Sequence, residues 1–178
     1  MKYLIASDLH GSYFYAQKLN EVFVSENADM LILLGDIYNH GPRNQLPKDY
    51  SPMQVAELLN RLKDKLVVVK GNCDSAVDTM ISDFDFIENM VVTSGKKTVF
   101  LTHGHIYNKD SLPKTRFNAI VYGHFHTPFV ESVGDTVAIN VGSLSLPKNG
   151  TANSYSVLEN GVITVKDFEG NVIETAKM

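Results

Sequence analysis

Five times along this chain a short apolar run breaks off on side chains able to bind a metal. The runs are KYLIAS at 2–7, MLILL at 30–34, LVVVK at 66–70, TVFLT at 98–102 and AIVY at 119–122. After them come Asp8 and His10, then Asp36, then Asn72, then His103 and His105, then His124 and His126. Continuous apolar runs of this length suit strands covered on both faces. In open α/β sheets, sites assemble beyond the carboxyl ends of such strands. Neighbouring parallel strands would bring all these side chains to one edge.

The segments between the runs set the fold class. Residues 12–26 carry Tyr15, Leu19, Val22 and Phe23 at helical spacing. Residues 52–63 open on Pro52 and place Val55, Leu58, Leu59 and Leu62 on one face. Further on, strand-like runs at 128–133, 136–141, 154–159 and 162–167 are joined by short turns, with Asn160–Gly161 a strong two-residue hairpin signal. Helical connections early and hairpins late predict an α/β chain of two packed sheets with helices outside, not one doubly wound sheet. At 178 residues this is one domain, 1–178, long enough to bury a core.

Each strand-end motif is ordinary alone. Asp-x-His can be a turn or a helix cap, and Gly-Asp and Gly-Asn are common turns. His-x-His at period two puts both imidazoles on one side. Their joint occurrence carries the weight: none of the six histidines lies inside a helical pattern. Counting Asp8, His10, Asp36, Asn72, His103, His124 and His126, there are too many donors for one tetrahedral ion. They suit two divalent ions sharing a carboxylate. Oxygen and nitrogen donors without thiolate point to Mn, Fe, Zn or a similar metal rather than a structural zinc. Two ions about 3.5–4 Å apart hold a nucleophilic water and a phosphoryl oxygen together. Two divalent ions, less the charges of Asp8, Asp36 and a hydroxide, leave about one positive charge for a phosphate ester.

Taken in order, D-x-H, G-D, G-N, a strand ending in His, and G-H-x-H resemble the signature of the calcineurin-like metallophosphoesterases, across residues 8–126. SDLHGS, LGDIYNHGPRN, GNCDS, LTHGH and YGHFHTP are similar to its small bacterial phosphodiesterases. The resemblance implies a four-layer sandwich of two mixed β-sheets flanked by α-helices. It implies a first ion on Asp8, His10 and His126, and a second on Asn72, His103 and His124, with Asp36 bridging. The expected metal is Mn(II), with Zn, Fe and Ni as rivals. The implied reaction is hydrolysis of a small phosphodiester by in-line attack of a bridging hydroxide.

Two positions depart from the pattern. Cys73 stands where many relatives have a histidine that protonates the leaving group, and an ordinary thiol titrates near 8.5. Val141, in N-V-G-S, replaces a proline, which leaves that turn less constrained. Asp74 reads either as a carboxylate orienting an imidazole or as a cap for a helix beginning at Ser75. His105 reads as facing substrate or as a turn residue beside Tyr107. The long loop 37–51 offers Arg43 for a bidentate phosphate contact, with Asn39 and His40 beside it.

Two other readings compete: a binding module on the same fold, and a nuclease. A retired site should lose ligands, and none is missing. A net charge of −4 argues against an extended nucleic-acid surface. No stretch approaches the roughly 18 apolar residues of a membrane span, and the N-terminus meets Asp8 too soon for a signal peptide. One cysteine, Cys73, fits a reducing compartment and hence the cytoplasm. The hairpin edges of the second sheet offer a surface for pairing into a homo-oligomer.

Overall fold

Alternation within the apolar runs sorts their side chains into two buried layers. In the computed structural model, which describes residues 1–178, Leu4 and Ala6 of strand β1 (Tyr3–Ala6) join one core cluster, and Tyr3 and Ile5 join another. The same split occurs in β2 (Met30–Leu33) and β3 (Leu66–Val69), where Leu31, Leu33 and Val68 face one way and Ile32 and Val69 the other.

The first face packs beneath α1 (Tyr13–Ser25) and α2 (Pro52–Asn60), through Ala16, Leu19 and Phe23 and through Val55, Leu58 and Leu59. Ser12 caps α1 by accepting from the Tyr15 amide at 3.4 Å, and Pro52 starts α2. The second face packs against another sheet.

The remaining strands are β4 (Phe86–Ile87), β5 (Met90–Ser94), β6 (Lys97–Leu101), β7 (Ala119–Tyr122), β8 (Phe129–Val133), β9 (Thr136–Asn140), β10 (Ser154–Glu159), β11 (Val162–Asp167) and β12 (Val172–Lys177). One sheet has the order β12-β11-β10-β1-β2-β3-β4 and the other β5-β6-β7-β9-β8. Strands β1 to β4 run parallel, as do β6, β7 and β9; the outer pairings are antiparallel. Both sheets are therefore mixed, as expected. Ile5, Ile32, Val69, Val99, Val121 and Ile139 lie in the layer between them.

Helices cover only the first sheet. Over the outer face of the second, Phe100, Ile120 and Tyr122 pack with Phe117 and Tyr107 of the connection between β6 and β7. Phe100 stacks on Phe117 with ring centroids 5.0 Å apart. Strands β4, β5 and β12 have no counterpart among the predicted runs. β4 is only two residues long, and β5 and β12 are edge strands whose outward positions are polar or solvated. The helical run predicted to 63 ends at Asn60 and gives way to a 3₁₀ turn at Lys63–Lys65.

Glu26, just past α1, ties that helix to the first sheet. Its carboxylate accepts from Lys166 at 2.8 Å, Lys2 at 3.0 Å and the Tyr155 hydroxyl at 3.2 Å. Burial pushes this carboxyl up, but the bonds from Lys166 and Lys2 outweigh it and hold it below its ordinary value of 4.5. A depressed acid stabilises the fold above its unfolded pKa and loses that contribution as pH falls through the folded value. Glu26→Gln is thus expected to cost about 1 kcal/mol at neutral pH, roughly 2–4 °C in Tm. The melting temperatures of variant and wild type should converge as pH drops below 4.5. A gap that stays constant down to acid pH would assign the loss to packing instead.

Candidate metal centre

The ligand-bearing turns share an unusual backbone. Nine non-glycine residues have positive φ, and five are candidate ligands: Asp8 (58°), His10 (50°), Asp36 (55°), His124 (63°) and His126 (60°). Asp and His tolerate this region better than most residues, yet each instance costs on the order of 1 kcal/mol. The turns hold because hydrogen bonds continue past the strands. The Asp8 amide donates to the Gly35 carbonyl at 3.1 Å, His10 to Asp36 at 2.9 Å, and Gly123 to His103 at 2.9 Å. The Ser143 and Ser145 hydroxyls donate to the Asp8 carbonyl at 2.9 and 3.1 Å. Asn140 pins the N-V-G-S turn from its own side chain, donating to the Gly123 carbonyl at 2.5 Å and accepting from the Gly142 amide at 2.9 Å. Proline is therefore not needed to fix that turn.

Glycine is required where backbone meets carboxylate. A Cβ at Gly123 would collide with the Asp8 carboxylate and Ser7, and one at Gly71 with the Asp36 carboxylate. Those close approaches let the His124 amide donate to Asp8 Oδ2 and the Cys73 amide to Asp36 Oδ1, each at 2.8 Å.

Strand ends from both sheets converge here. His126 Nε2 lies 3.0 Å from Asp8 Oδ1 and 3.2 Å from His10 Nε2, and His10 Nε2 is 3.5 Å from the same Asp8 oxygen. On the other side His103 Nε2 is 3.0 Å from Asn72 Oδ1 and 3.5 Å from Asp36 Oδ1. Asp36 Oδ2 points back to His10 Nε2 at 3.8 Å, so this carboxylate reaches both groups.

The outer nitrogens decide what fits between these atoms. His10 Nδ1 is 2.7 Å from the Asn39 carbonyl, His103 Nδ1 2.6 Å from Leu34, and His126 Nδ1 2.6 Å from Leu146. A carbonyl only accepts, so each Nδ1 carries a proton, and the tautomer this selects turns an Nε2 lone pair inward. Lone pairs facing carboxylate oxygens at these distances repel unless a cation sits among them. Asp8 Oδ1, fully buried, has no aligned hydrogen-bond donor. This donor set fits a divalent ion, with the backbone carbonyls orienting the imidazoles from behind.

Without a metal, protons serve that purpose. Burial pushes the Asp8 carboxyl up, yet the flanking His10 and His126 imidazoles hold it well below the usual range. Burial depresses His10, and Asp8 outweighs that and raises it.

Asp8, His10 and His126 form one compact group, and Asp8, Asp36 and His103 another. His124 stands further out, its ring centroid 5.1 Å from that of His103, and burial and the nearby His103 push it down to about 4. Its imidazole is thus neutral, with a lone pair to offer. Cys73 approaches His10 and Asp36 closely, and burial and the Asp36 carboxylate push its thiol up to about 12.

Asp74 matches neither sequence reading. Both oxygens are taken by backbone amides: Oδ2 accepts from Asp36 at 2.8 Å and Gly71 at 2.7 Å, and Oδ1 from Ile37 at 2.8 Å. The cap at Ala76–Met80 is made instead by Ser75 with Asp78. His105 is exposed, its ring 5.3 Å from His103 and 6.3 Å from His124, while Tyr107 packs on Phe100 at 5.7 Å.

A cavity of ≈ 680 Å³ opens over the cluster, with Asn39, Arg43 and Lys148 on its walls. His40 is not part of it; its ring meets Tyr50 edge-on at 5.5 Å. Lys148 was invisible in the sequence, a single lysine in the turn LPKNG.

Comparison with known proteins shows what the chain is similar to. The model of the calcineurin-like phosphoesterase superfamily domain matches residues 1–161. Phosphodiesterase YfcE of Escherichia coli (strain K12) is 44% identical over 167 residues, spanning 93% of this chain and 91% of the relative. The probable metallophosphoesterase YsnB of Bacillus subtilis is 30% identical over 186 residues, spanning 98% and 95%. The solved structure of YfcE, a phosphoesterase from E. coli, superposes with a TM-score of 0.95 at 40% identity over 99% of both chains.

Proposed function

The chain belongs to the calcineurin-like phosphoesterase superfamily, and from that premise we propose that it is a metal-dependent phosphodiesterase acting on small diesters. The observation that carries this reading is the set of inward Nε2 lone pairs around the buried carboxylates of Asp8 and Asp36. Asp8, His10 and His126 would hold one ion and Asn72, His103 and His124 a second, with Asp36 reaching both. Carboxylate, amide and imidazole donors suit Mn(II), with Zn, Fe and Ni as competitors. When bound, the two ions supply positive charge against the phosphoryl oxygens and an acidified water as nucleophile. No candidate ligand is missing, which separates this reading from a binding module. No helix is long and apolar enough to cross a membrane. The lone cysteine supports a cytoplasmic setting.

The chain's own side chains bind and orient the substrate. Arg43, on the cavity wall, is placed to hold the non-bridging phosphoryl oxygens. His105 is outside the cavity lining, its ring 5.3 Å from that of His103. Cys73 is near the reacting centre, but a thiol is a weaker hydrogen-bond donor than an imidazolium and so assists a departing alkoxide poorly. General acid catalysis is worth about 10²–10⁴-fold. Diesters with nitrophenol leaving groups are therefore expected to turn over faster than dialkyl phosphates by about that factor. Equal turnover of aryl and alkyl diesters would remove the argument from Cys73.

The test of the whole reading is a reloading screen. Chelated protein is expected to be inactive, and to regain hydrolysis of aryl phosphodiesters when Mn(II), Zn, Fe(II) or Ni is returned. Absence of turnover with every metal would favour the binding-module reading.

A further inference from the structure

Resting on the phosphodiesterase reading, we propose that Lys148 recognises a second anionic group, a phosphate or carboxylate, on one arm of the diester. Apart from Gly41, Pro42 and Cys73 the cavity is lined by polar and charged residues, and a volume of ≈ 680 Å³ holds far more than a minimal diester. Its charges do not close without such a group. Two divalent ions, offset by Asp8, Asp36 and a hydroxide, leave about one positive charge, which the diester monoanion cancels. Arg43 and Lys148 then remain, and Asp36 is the only carboxylate on the wall. Neither cation has an ion-pair partner to neutralise it within the cavity.

Both cations are mounted on backbone fastened to the metal cluster. On the Arg43 side, the Asn39 carbonyl holds His10 Nδ1 at 2.7 Å, and the Asn39 side chain accepts from the Gly41 amide at 2.8 Å. That loop also runs against Cys73, since a Cβ at Gly41 would meet its sulfur at 3.2 Å. On the Lys148 side, the Leu146 carbonyl holds His126 Nδ1 at 2.6 Å, and the Lys148 amide donates to the His126 carbonyl at 3.0 Å. The two cations thus stand over different ligand histidines. With Arg43 serving the scissile phosphate, Lys148 is left for a charge further along the substrate, on the His126 side.

The test uses three diester mimics in which a phosphorus–carbon bond replaces the aryl ester. These are the methyl, 2-carboxyethyl and 2-phosphoryloxyethyl monoesters of phenylphosphonic acid. Each is titrated calorimetrically into Mn(II)-loaded protein. An anionic arm is expected to tighten binding about tenfold at low salt, with the gap shrinking as ionic strength rises. Lys148→Met is expected to reduce the gap to near twofold, and Lys148→Arg to restore it. Arg43→Ala should weaken all three mimics alike. Equal binding of the three mimics by the wild type, or a gap unchanged in Lys148→Met, would overturn the proposal. Matched p-nitrophenyl phosphodiesters give the kinetic counterpart in kcat/KM. A binding gap without turnover of any diester would sink the phosphodiesterase reading and leave the Lys148 subsite standing.

Discussion

Asp8→Asn is expected to remove the first ion and lower diesterase turnover by at least about 10²-fold, while the metal-free protein still folds. Substituting residues behind a metal ligand typically costs 10–100-fold, so replacing a ligand costs at least the upper end of that range. The neutral amide preserves the shape of the site. Its oxygen can take over the bond from the His124 amide, which Asp8 Oδ2 now accepts at 2.8 Å. Its NH₂ then faces His10 and His126, whose inward nitrogens are acceptors. The amide gives up the attraction between the Asp8 carboxylate and the flanking His10 and His126 imidazoles, which costs the metal-free protein some stability without changing the shape of the site. Metal binding at 100 times Kd stabilises a protein by about 2.7 kcal/mol. In a chain of this size that is roughly 5–10 °C of Tm. The variant should lose that metal-induced shift while still melting cooperatively without metal. Full turnover with both metals retained would contradict the assignment of Asp8.

The candidate ligands were legible in the sequence because strand ends are local events. An apolar run, a glycine or a short turn, and a donor are contiguous, and the parallel β1-β2-β3 and β6-β7 arrangements bring those ends to one edge. The left-handed turns at Asp8, His10, Asp36, His124 and His126 were not legible. Nothing in D-L-H or G-H-F-H distinguishes a strained ligand turn from a relaxed one. Long-range partners were equally hidden. Asn39 and Leu146 act through backbone carbonyls, whose positions depend on loop closure and not on residue type. His40 followed the same logic in reverse: it lies in the correct loop, but its ring turns to Tyr50. In the fold, the inner strands announced themselves by apolar continuity. Edge strands β5 and β12 did not, because one side of each faces solvent. The cover over the second sheet is built from Phe100, Phe117 and Tyr107, an aromatic contact between a strand and a loop that carries no periodicity.

The second large effect is expected at Asp74, which touches no candidate ligand imidazole and holds two ligand loops at once. Its carboxylate joins the amides of Asp36 and Ile37, beyond β2, to that of Gly71, beyond β3. Asp36 is the shared ligand, and Asn72 follows Gly71. Burial pushes the Asp74 carboxyl up, with the backbone amides opposing, so the clamp depends on those three donors being in place. Hydrogen bonds to charged groups contribute about 1.5–3 kcal/mol each, and a buried donor left unpaired costs a similar amount. Asp74→Ala strands three amides, and is expected to cost about 3 kcal/mol or more, roughly 6–12 °C in Tm. Displacing Asp36 and Asn72 by about 1 Å should also lower turnover about 10²-fold. Asp74→Asn gives a graded result. With its oxygen kept toward Asp36 and Gly71 it preserves two bonds and turns its NH₂ against the Ile37 amide. It should therefore lose about half as much in both stability and metal occupancy. A carboxylate that acted by polarising an imidazole would instead shift the pH profile of turnover and leave Tm unchanged. Stability, occupancy and activity falling together across Ala and Asn mark the clamp, and an Asp74→Ala protein with wild-type Tm and full metal content would refute it.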